Sequence, residues 1–447
     1  MDLDLLIAEI GSTTTVVNGF TGIKKGTPRL KGQGLAPTTV LEGDVTVGLN
    51  NAIENLKEVL GADDLTWSEF MATSSAAGGL KMTVHGLVKD MTVKAAREAA
   101  LGAGAVIKMV TAGKLRESKL NKIKEINPNI ILLAGGVDYG EEEVILHNAR
   151  LLAQMKLNVP IIYAGNKAIQ DEVRDIFDNS QQDILITDNV YPEIDTLNIE
   201  PTRRLIQQVF ARHIIKAPGM EKIKPMLSSE MMPTPGAVMK SARLLREDIG
   251  NLVVIDIGGA TTDVHSVTED TPGVKQVLIN PEPVAKRTVE GDLGVFINAP
   301  HVFKLIEETR KNGYEYKEVK AIPGNEKERG FVRLLAETAA LTAIKRHAGR
   351  LRDFFGPQGR QTVAEGKDLS GVRWVIGTGG ALTRLGRGDE VLTRVIEYRG
   401  SRLFPPEDAK ILIDRNYIMA AMGILSEKYP DKALRLLKES LGLDIED

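Results

Sequence analysis

The chain contains no cysteine. That excludes disulfides, thiolate metal sites, iron–sulfur ligation and a cysteine nucleophile, and it fits a reducing cytoplasmic setting. Aromatic residues supply only 4% of the 447 positions. Few platforms are therefore left for stacking single-stranded nucleic acid. The formal charge is −3, so no basic field awaits a phosphodiester backbone, and no nucleic-acid partner is expected. No apolar run approaches the ~20 residues that span a bilayer. The acidic start Met1-Asp2-Leu3-Asp4 runs into a strand and does not read as a signal peptide. No membrane partner is expected. The histidines at 85, 147, 213, 265, 301 and 347 are scattered, with no helical pair at ligand spacing. The pattern G-x-x-x-x-G-K-[ST] is missing, which argues against a P-loop ATPase. No Ser/His/Asp set is discernible by spacing.

What is present is glycine, and two turns of one design. Leu6-Ile7-Ala8-Glu9-Ile10-Gly11-Ser12-Thr13-Thr14-Thr15 is followed far downstream by Val253-Val254-Ile255-Asp256-Ile257-Gly258-Gly259-Ala260-Thr261-Thr262-Asp263. Each is an apolar run, an acid, an apolar residue, glycine and hydroxyls. A strand, a tight Gly/Thr turn and a returning strand make a hairpin whose tip can hold phosphate. Glycine lets the backbone approach the anion, and backbone N–H groups and hydroxyls donate to it. The acids Glu9 and Asp256 are badly placed for phosphate and suit a metal ion or its waters. Asp263 reads more simply as a turn cap. Two such hairpins suggest two half-domains clasping one nucleotide.

The pairing resembles the actin, sugar-kinase and heat-shock-chaperone ATPase superfamily, whose hairpins are the phosphate-1 and phosphate-2 motifs. The resemblance implies a third, Gly-rich turn against the nucleoside. Trp374-Val375-Ile376-Gly377-Thr378-Gly379-Gly380-Ala381-Leu382 fits it. The candidate nucleotide contacts are then Gly11, Ser12, Thr13 and Thr14, facing Gly258, Gly259, Thr261 and Thr262, with Gly377, Thr378, Gly379 and Gly380 at the nucleoside. Glu9 and Asp256 carry the catalytic and metal roles, and the cofactors are ATP and Mg2+. Thr73 and Ser74 line the cleft.

The spacing predicts a helix over 45–60 and a small-residue helix over 92–106 (Ala95, Ala96, Ala99, Ala100, Gly102). Residues 126–216 alternate strands (130–133, 160–163, 184–187) with helices (141–154, 167–177), the pattern of a parallel Rossmann-like sheet. They contain no G-x-G-x-x-G, so dinucleotide binding is unsupported. Pro218, Pro225, Pro233 and Pro235 mark a connection back to the core. Residues 321–330 read as a polar loop, and 331–352 as an amphipathic helix with Lys345, Arg346, Arg350 and Arg352 on its outer face. A second small-residue helix is expected over 415–427. In the superfamily such helices cross between the lobes, and 92–106 and 415–427 are assigned that role. The fold class is thus α/β: a two-lobed actin-like ATPase of duplicated ribonuclease H-like domains with an inserted Rossmann-like domain. Its expected divisions are lobe I over 1–125, the insert and linker over 126–246, lobe II over 247–410, and C-terminal helices over 411–447.

Further stretches narrow the resemblance: Ala72-Thr73-Ser74-Ser75-Ala76-Ala77-Gly78-Gly79-Leu80-Lys81-Met82, Leu132-Leu133-Ala134-Gly135-Gly136, Glu143-Val144-Ile145-Leu146-His147-Asn148-Ala149, Gly236-Ala237-Val238-Met239-Lys240, Lys286-Arg287-Thr288-Val289-Glu290-Gly291-Asp292-Leu293-Gly294 and Ile376-Gly377-Thr378-Gly379-Gly380-Ala381-Leu382-Thr383-Arg384. Together they are similar to the MutL/GlmL family, which is associated with adenosylcobalamin-dependent mutases, notably glutamate mutase and aminomutases. The resemblance implies an ATPase with a chaperone-like role that reactivates the mutase by releasing damaged cobalamin, and it makes mutase subunits the partners. One departure stands out. Glu9 replaces the superfamily's usual aspartate, and its extra methylene shifts the carboxylate. A shorter aspartate is expected to serve at least as well. Two alternatives share the fold: a small-molecule kinase, for which Asp44 and Asp292 are the available bases, and a nucleotide-gated scaffold that scarcely hydrolyses. An iron–sulfur activator of radical dehydratases is rejected by the absence of cysteine.

Overall fold

The computed structural model describes residues 1–75, 80–180, 182–213, 219–311, 313–315, 319–320, 323–356, 359–398, 400 and 402–444. Positions 76–79 of the Ala72–Met82 motif, Pro218, and positions 321 and 322 of the expected polar loop lie outside the described residues. The chain forms two compact units. One is Met1–Ala76, Ala217–Ile279 and Val284–Asp447; the other is Ala77–Lys216 with Asn280–Pro283.

The first unit opens with β1 (Asp2–Ile10), β2 (Thr14–Thr21), β3 (Arg29–Pro37) and β4 (Thr66–Ser74). β1, β2 and β3 form an antiparallel meander, and β4 lies parallel on the free side of β1. The second unit contributes β5 (Leu80–Gly86), β6 (Ala105–Ala112), β7 (Ile130–Leu133), β8 (Ile161–Tyr163) and β9 (Ile184–Ile186). The chain then returns to the first unit. β10 (Met232–Pro233) extends the first sheet beside β4. β11 (Leu252–Ile257), β12 (Thr262–Val267) and β13 (Ala285–Glu290) make a second antiparallel meander. β14 (Arg350–Gly356) and β15 (Gly359–Glu365) form a separate ribbon. β16 (Trp374–Thr378) and β17 (Lys410–Ile413) add in parallel to β11.

The two large sheets of the first unit therefore share one topology. Their orders are β3-β2-β1-β4-β10 and β13-β12-β11-β16-β17. Each is a three-stranded meander continued by two parallel strands. This is the duplicated ribonuclease H-like plan of a two-lobed actin-like fold. β1 and β11 are central, flanked on both sides, and read as near-continuous apolar runs because both faces are buried. The lobes share a core. Leu5, Ile7 and Phe20 of the first sheet and Val254 and Ile376 of the second belong to one cluster with Ala237, Met239, Met422 and Leu436. Its helices cross tightly. A Cβ on Gly423, in the helix Met419–Leu425, would lie 1.9 Å from the Ala237 carbonyl oxygen of the helix Thr234–Ile249. Small residues over 415–427 are thus explained by a close crossing.

The second unit is an all-parallel sheet in the order β6-β5-β7-β8-β9. Its core includes Ile131, Leu133, Ile145, Tyr163, Val173 and Phe177. The alternation read over 126–216 is present, and the unit also takes in residues upstream. The stretch 92–106 is not one helix. A helix at Lys94–Gly102 is followed by β6, where Val106, Ile107 and Val110 favour strand. Its small residues do admit a neighbour, the helix Glu200–His213 of the same unit. The Arg203 guanidinium lies across Gly102, where a Cβ would sit 2.1 Å from Arg203 Nε. An inter-lobe role for 92–106 is replaced by this packing.

Two further differences concern the basic helix. Asn325 accepts from the Glu328 N–H and caps a helix at Glu326–His347. The polar loop is therefore shorter than expected. The helix ends at His347, and Arg350 and Arg352 belong to β14, where both meet Glu365. Arg346 pairs with Glu290 and Asp292, and Lys345 lies 3.8 Å from the Tyr398 ring centroid. All four charges are engaged within the protein.

Candidate functional site

The duplicated turns close alike. Gly11 N–H donates to the Thr14 carbonyl at 3.0 Å, and Gly258 N–H donates to the Thr261 carbonyl at 2.9 Å. Each acid is the penultimate residue of a central strand, Glu9 of β1 and Asp256 of β11. The turns also meet. A Cβ on Gly259 would be 3.1 Å from Thr13 Cγ2 and 3.2 Å from Thr13 Oγ1. The second turn is strapped from behind. The N–H groups of Val295, Phe296 and Ile297 donate to the carbonyls of Gly258 and Gly259, and Asn298 Nδ2 donates to the Ala260 carbonyl. These carbonyls, which would repel an anion, are thereby occupied.

The third turn reaches the same place. Gly379 has φ +86°, and a Cβ there would lie 2.6 Å from Asp256 Oδ1 and 2.5 Å from the Ile257 carbonyl oxygen. Only glycine fits this conformation and this closeness. Gly380 faces open space. Gly377 instead faces Ile413, Leu392 and Leu382 in the core.

Not every expected contact is available. Thr262 Oγ1 donates to the Leu293 carbonyl at 2.7 Å, and Thr378 Oγ1 donates to Asp414 Oδ2 at 2.9 Å; both side chains are buried. Their hydroxyls hold the turns in shape. Ser12 Oγ donates to the Ser75 carbonyl at 3.2 Å, and Thr261 Oγ1 donates to Asp263 Oδ2 at the same distance. Thr73 and Ser74 are buried at the end of β4, and Thr234 Oγ1 donates to Thr73 Oγ1 at 3.4 Å.

Acids crowd this end of the sheets. Burial, with the Asp414 charge, raises Glu9 to about 7, against the opposing effects of the Tyr417 hydrogen bond and Arg384. Burial, then the Asp263 and Glu9 charges, push Asp256 well above the carboxylate range. Burial also raises Asp414, although Ser440 Oγ, Thr378 Oγ1 and the N–H groups of Ile418 and Met419 all donate to it. Asp263 is held by Arg287, whose Nε and Nη2 donate to Oδ1 at 2.9 and 2.6 Å.

Such repulsion is relieved by a cation. No cluster of three or more metal-binding side chains occurs among the described residues. A Mg2+ ion keeps several waters and takes one or two carboxylates plus phosphate oxygens. Glu9 and Asp256 fit this donor set. Sequence reasoning missed Arg287, Tyr417 and Asp414, which support it. Asp414 has a faint signal, an acid closing the apolar strand β17. Tyr417 has none.

The elevated Glu9 has a measurable consequence. A carboxyl raised from 4.5 to about 7 costs nothing below its unfolded value, where it is protonated in both states. The cost grows as pH rises and is complete above the folded value. Glu9→Gln is therefore expected to stabilise the metal-free protein by about 2–3 kcal/mol near pH 8, and not at all near pH 4. Urea denaturation at the two pH values reads this directly. Equal stability of wild type and variant near pH 8 would refute the burial argument.

Residues 5–441 match the family described as MutL protein. A curated relative, the protein MutL of Clostridium tetanomorphum, is 39% identical over 469 aligned positions covering 99% of each chain. Among solved structures, a diol dehydratase-reactivating factor in nucleotide-free form is 14% identical, with a TM-score of 0.34 over 95% of this chain and 99% of that one. A glycerol dehydratase reactivase is 11% identical, with a TM-score of 0.34 over 94% of this chain and 99% of that one. Among the described residues no helix is long and apolar enough to cross a membrane.

Proposed function

The chain belongs to the MutL protein family, and from that premise we propose that it is an ATP-dependent reactivating chaperone for an adenosylcobalamin-dependent mutase or aminomutase. The observation that carries the nucleotide half of this reading is the meeting of the two turns, Thr13 against Gly259, with Glu9 and Asp256 behind them. The mutase half rests on the family resemblance.

In this reading the Gly11–Thr14 and Gly258–Thr261 turns grip the phosphates, and the Gly379-Gly380 turn approaches the nucleoside. Glu9 and Asp256 orient Mg2+ and its waters. When bound, Mg2+ supplies charge neutralisation at the phosphates. Phosphoryl transfer asks little more of a protein than positioning and electrostatics. ATP drives lobe motion only through a difference in its affinity for the open and closed states. The helices Thr234–Ile249 and Met419–Leu425, packed backbone to backbone, form the axis across which such motion is felt. The cytoplasm is the expected compartment.

The kinase alternative loses its candidate bases. Asp44 caps the helix Val45–Leu60 and pairs with Lys222, and these bonds lower it to about 2. Asp292 pairs with Arg346, which holds it below its ordinary value. Neither carboxylate is a ready proton acceptor.

The test is recovery of a glutamate mutase inactivated with a non-adenosyl cobalamin and given free adenosylcobalamin, ATP and Mg2+. Recovery is expected with the wild-type protein and not with Gly259→Val, whose side chain fills the space held by Thr13. Equal recovery with and without the protein, for each amino-acid mutase tried, would sink this reading.

A further inference from the structure

Glu9 stands where the superfamily's usual acid is one methylene shorter, and the structure gives the longer side chain a partner. The Tyr417 hydroxyl donates to Glu9 Oε1 at 2.9 Å. An aspartate would end about 1.5 Å, one C–C bond, short of that hydroxyl. Position 9 is thus matched to position 417 across 408 residues of chain.

Tyr417 is itself held in place. Its φ is +49°, uncommon for a bulky side chain and sustained only where the surroundings fix it. The fixing comes from Asp414, which accepts from the N–H groups of Ile418 and Met419 on the far side of the tyrosine. Arg384 lies over the ring, 5.3 Å from its centroid, and also donates to Gln33 Oε1. Gln33 Nε2 in turn donates to the Asn416 carbonyl and to Asn18 Oδ1. The hydroxyl that meets Glu9 therefore sits on a loop braced from both lobes.

We propose that Tyr417 is a positioning residue for the metal ion, acting through Glu9, and that Glu9 and Tyr417 form a matched pair in place of the usual aspartate. The proposal rests on the reading that Glu9 serves the metal. The phenol occupies one lone pair of Oε1 and selects one orientation of a flexible side chain. Oε2 is then directed to the cation or its waters without further loss of rotamer freedom. Partners that orient a ligand in this way commonly set 10–100-fold in metal affinity. On this account Glu9→Asp does not restore an ordinary site. It removes the carboxylate from its brace, which runs against the expectation that aspartate serves at least as well.

The experiment is calorimetric titration of Mg2+ into the protein–ATP complex, alongside ATP binding in EDTA. Wild type, Tyr417→Phe, Glu9→Asp and the double variant are compared. Tyr417→Phe is expected to weaken Mg2+ binding by roughly 10–100-fold, with EDTA-measured ATP affinity within about twofold of wild type, which also checks the fold. The double variant should bind Mg2+ no more weakly than Glu9→Asp alone. Unchanged Mg2+ affinity in Tyr417→Phe would overturn the proposal. Tighter Mg2+ binding would overturn it too, by showing that the hydroxyl competes with the cation. A further tenfold loss in the double variant would show that Tyr417 acts independently of Glu9. Wild-type protein that binds ATP identically with and without Mg2+ would remove the metal reading of Glu9 itself, and this proposal with it.

Discussion

Asp256→Asn is expected to slow ATP hydrolysis by roughly 10²–10³ while leaving nucleotide affinity nearly unchanged. The amide keeps the shape that Gly379 packs against, a contact tight enough that a Cβ on Gly379 would fall 2.6 Å from Asp256 Oδ1. What it loses is the ability to ionise. Burial, Asp263 and Glu9 all favour the protonated carboxyl in the absence of a cation. In the proposed reading a bound dication would reverse this balance, and the carboxylate charge would organise the metal and its waters. Asparagine cannot follow that change, so its deficit appears where charge develops and not where the ground-state nucleotide is held. Single-turnover phosphate release, with ATP binding measured in parallel, separates the two effects. Turnover at the wild-type rate would remove Asp256 from the mechanism. An equal loss in both quantities would make it a binding residue only.

The strand–acid–glycine–hydroxyl pattern was legible because local chemistry dictates it. A hairpin with a tight turn has few solutions, and both hairpins close through the same Gly N–H to Thr carbonyl bond. The doubling of that pattern suggested two half-domains, and the superfamily resemblance added the duplicated plan seen in the two sheets. Short-range reasoning went astray where a residue's partner is remote in sequence. Small residues over 92–106 announce a close neighbour without saying which. The neighbour is Glu200–His213, and the helix stops at Gly102, with strand β6 beginning at Ala105. Thr262 was expected at a phosphate and Thr378 at the nucleoside, but Leu293 and Asp414 claim their hydroxyls. Tyr417 carries no sequence signal because its role depends on one bond to Glu9 at the other end of the chain.

Arg287→Met is expected to cost about 3–5 kcal/mol of stability, the range found when one member of a buried ion pair is removed. Arg287 is 1% exposed and Asp263 7%. The two guanidinium bonds to Oδ1 are what let that carboxylate be buried. Methionine fills much of the volume and leaves the acid uncompensated. His265, buried opposite Arg287 on the neighbouring strand, offers no substitute. Burial, and secondarily Arg287, hold its imidazole far below the usual value and keep it neutral. The penalty should therefore lie in Asp263, and a second change tests that. Arg287→Met combined with Asp263→Asn removes both charges and is expected to recover most of the loss, since a buried pair replaced as a whole is often neutral. The same arginine also opposes the upward push on Asp256. Denaturant unfolding of the single and double variants decides the stability claim. A single-variant loss below about 1 kcal/mol, in the range of exposed pairs, or a double variant no more stable than the single, would show that Asp263 does not depend on Arg287.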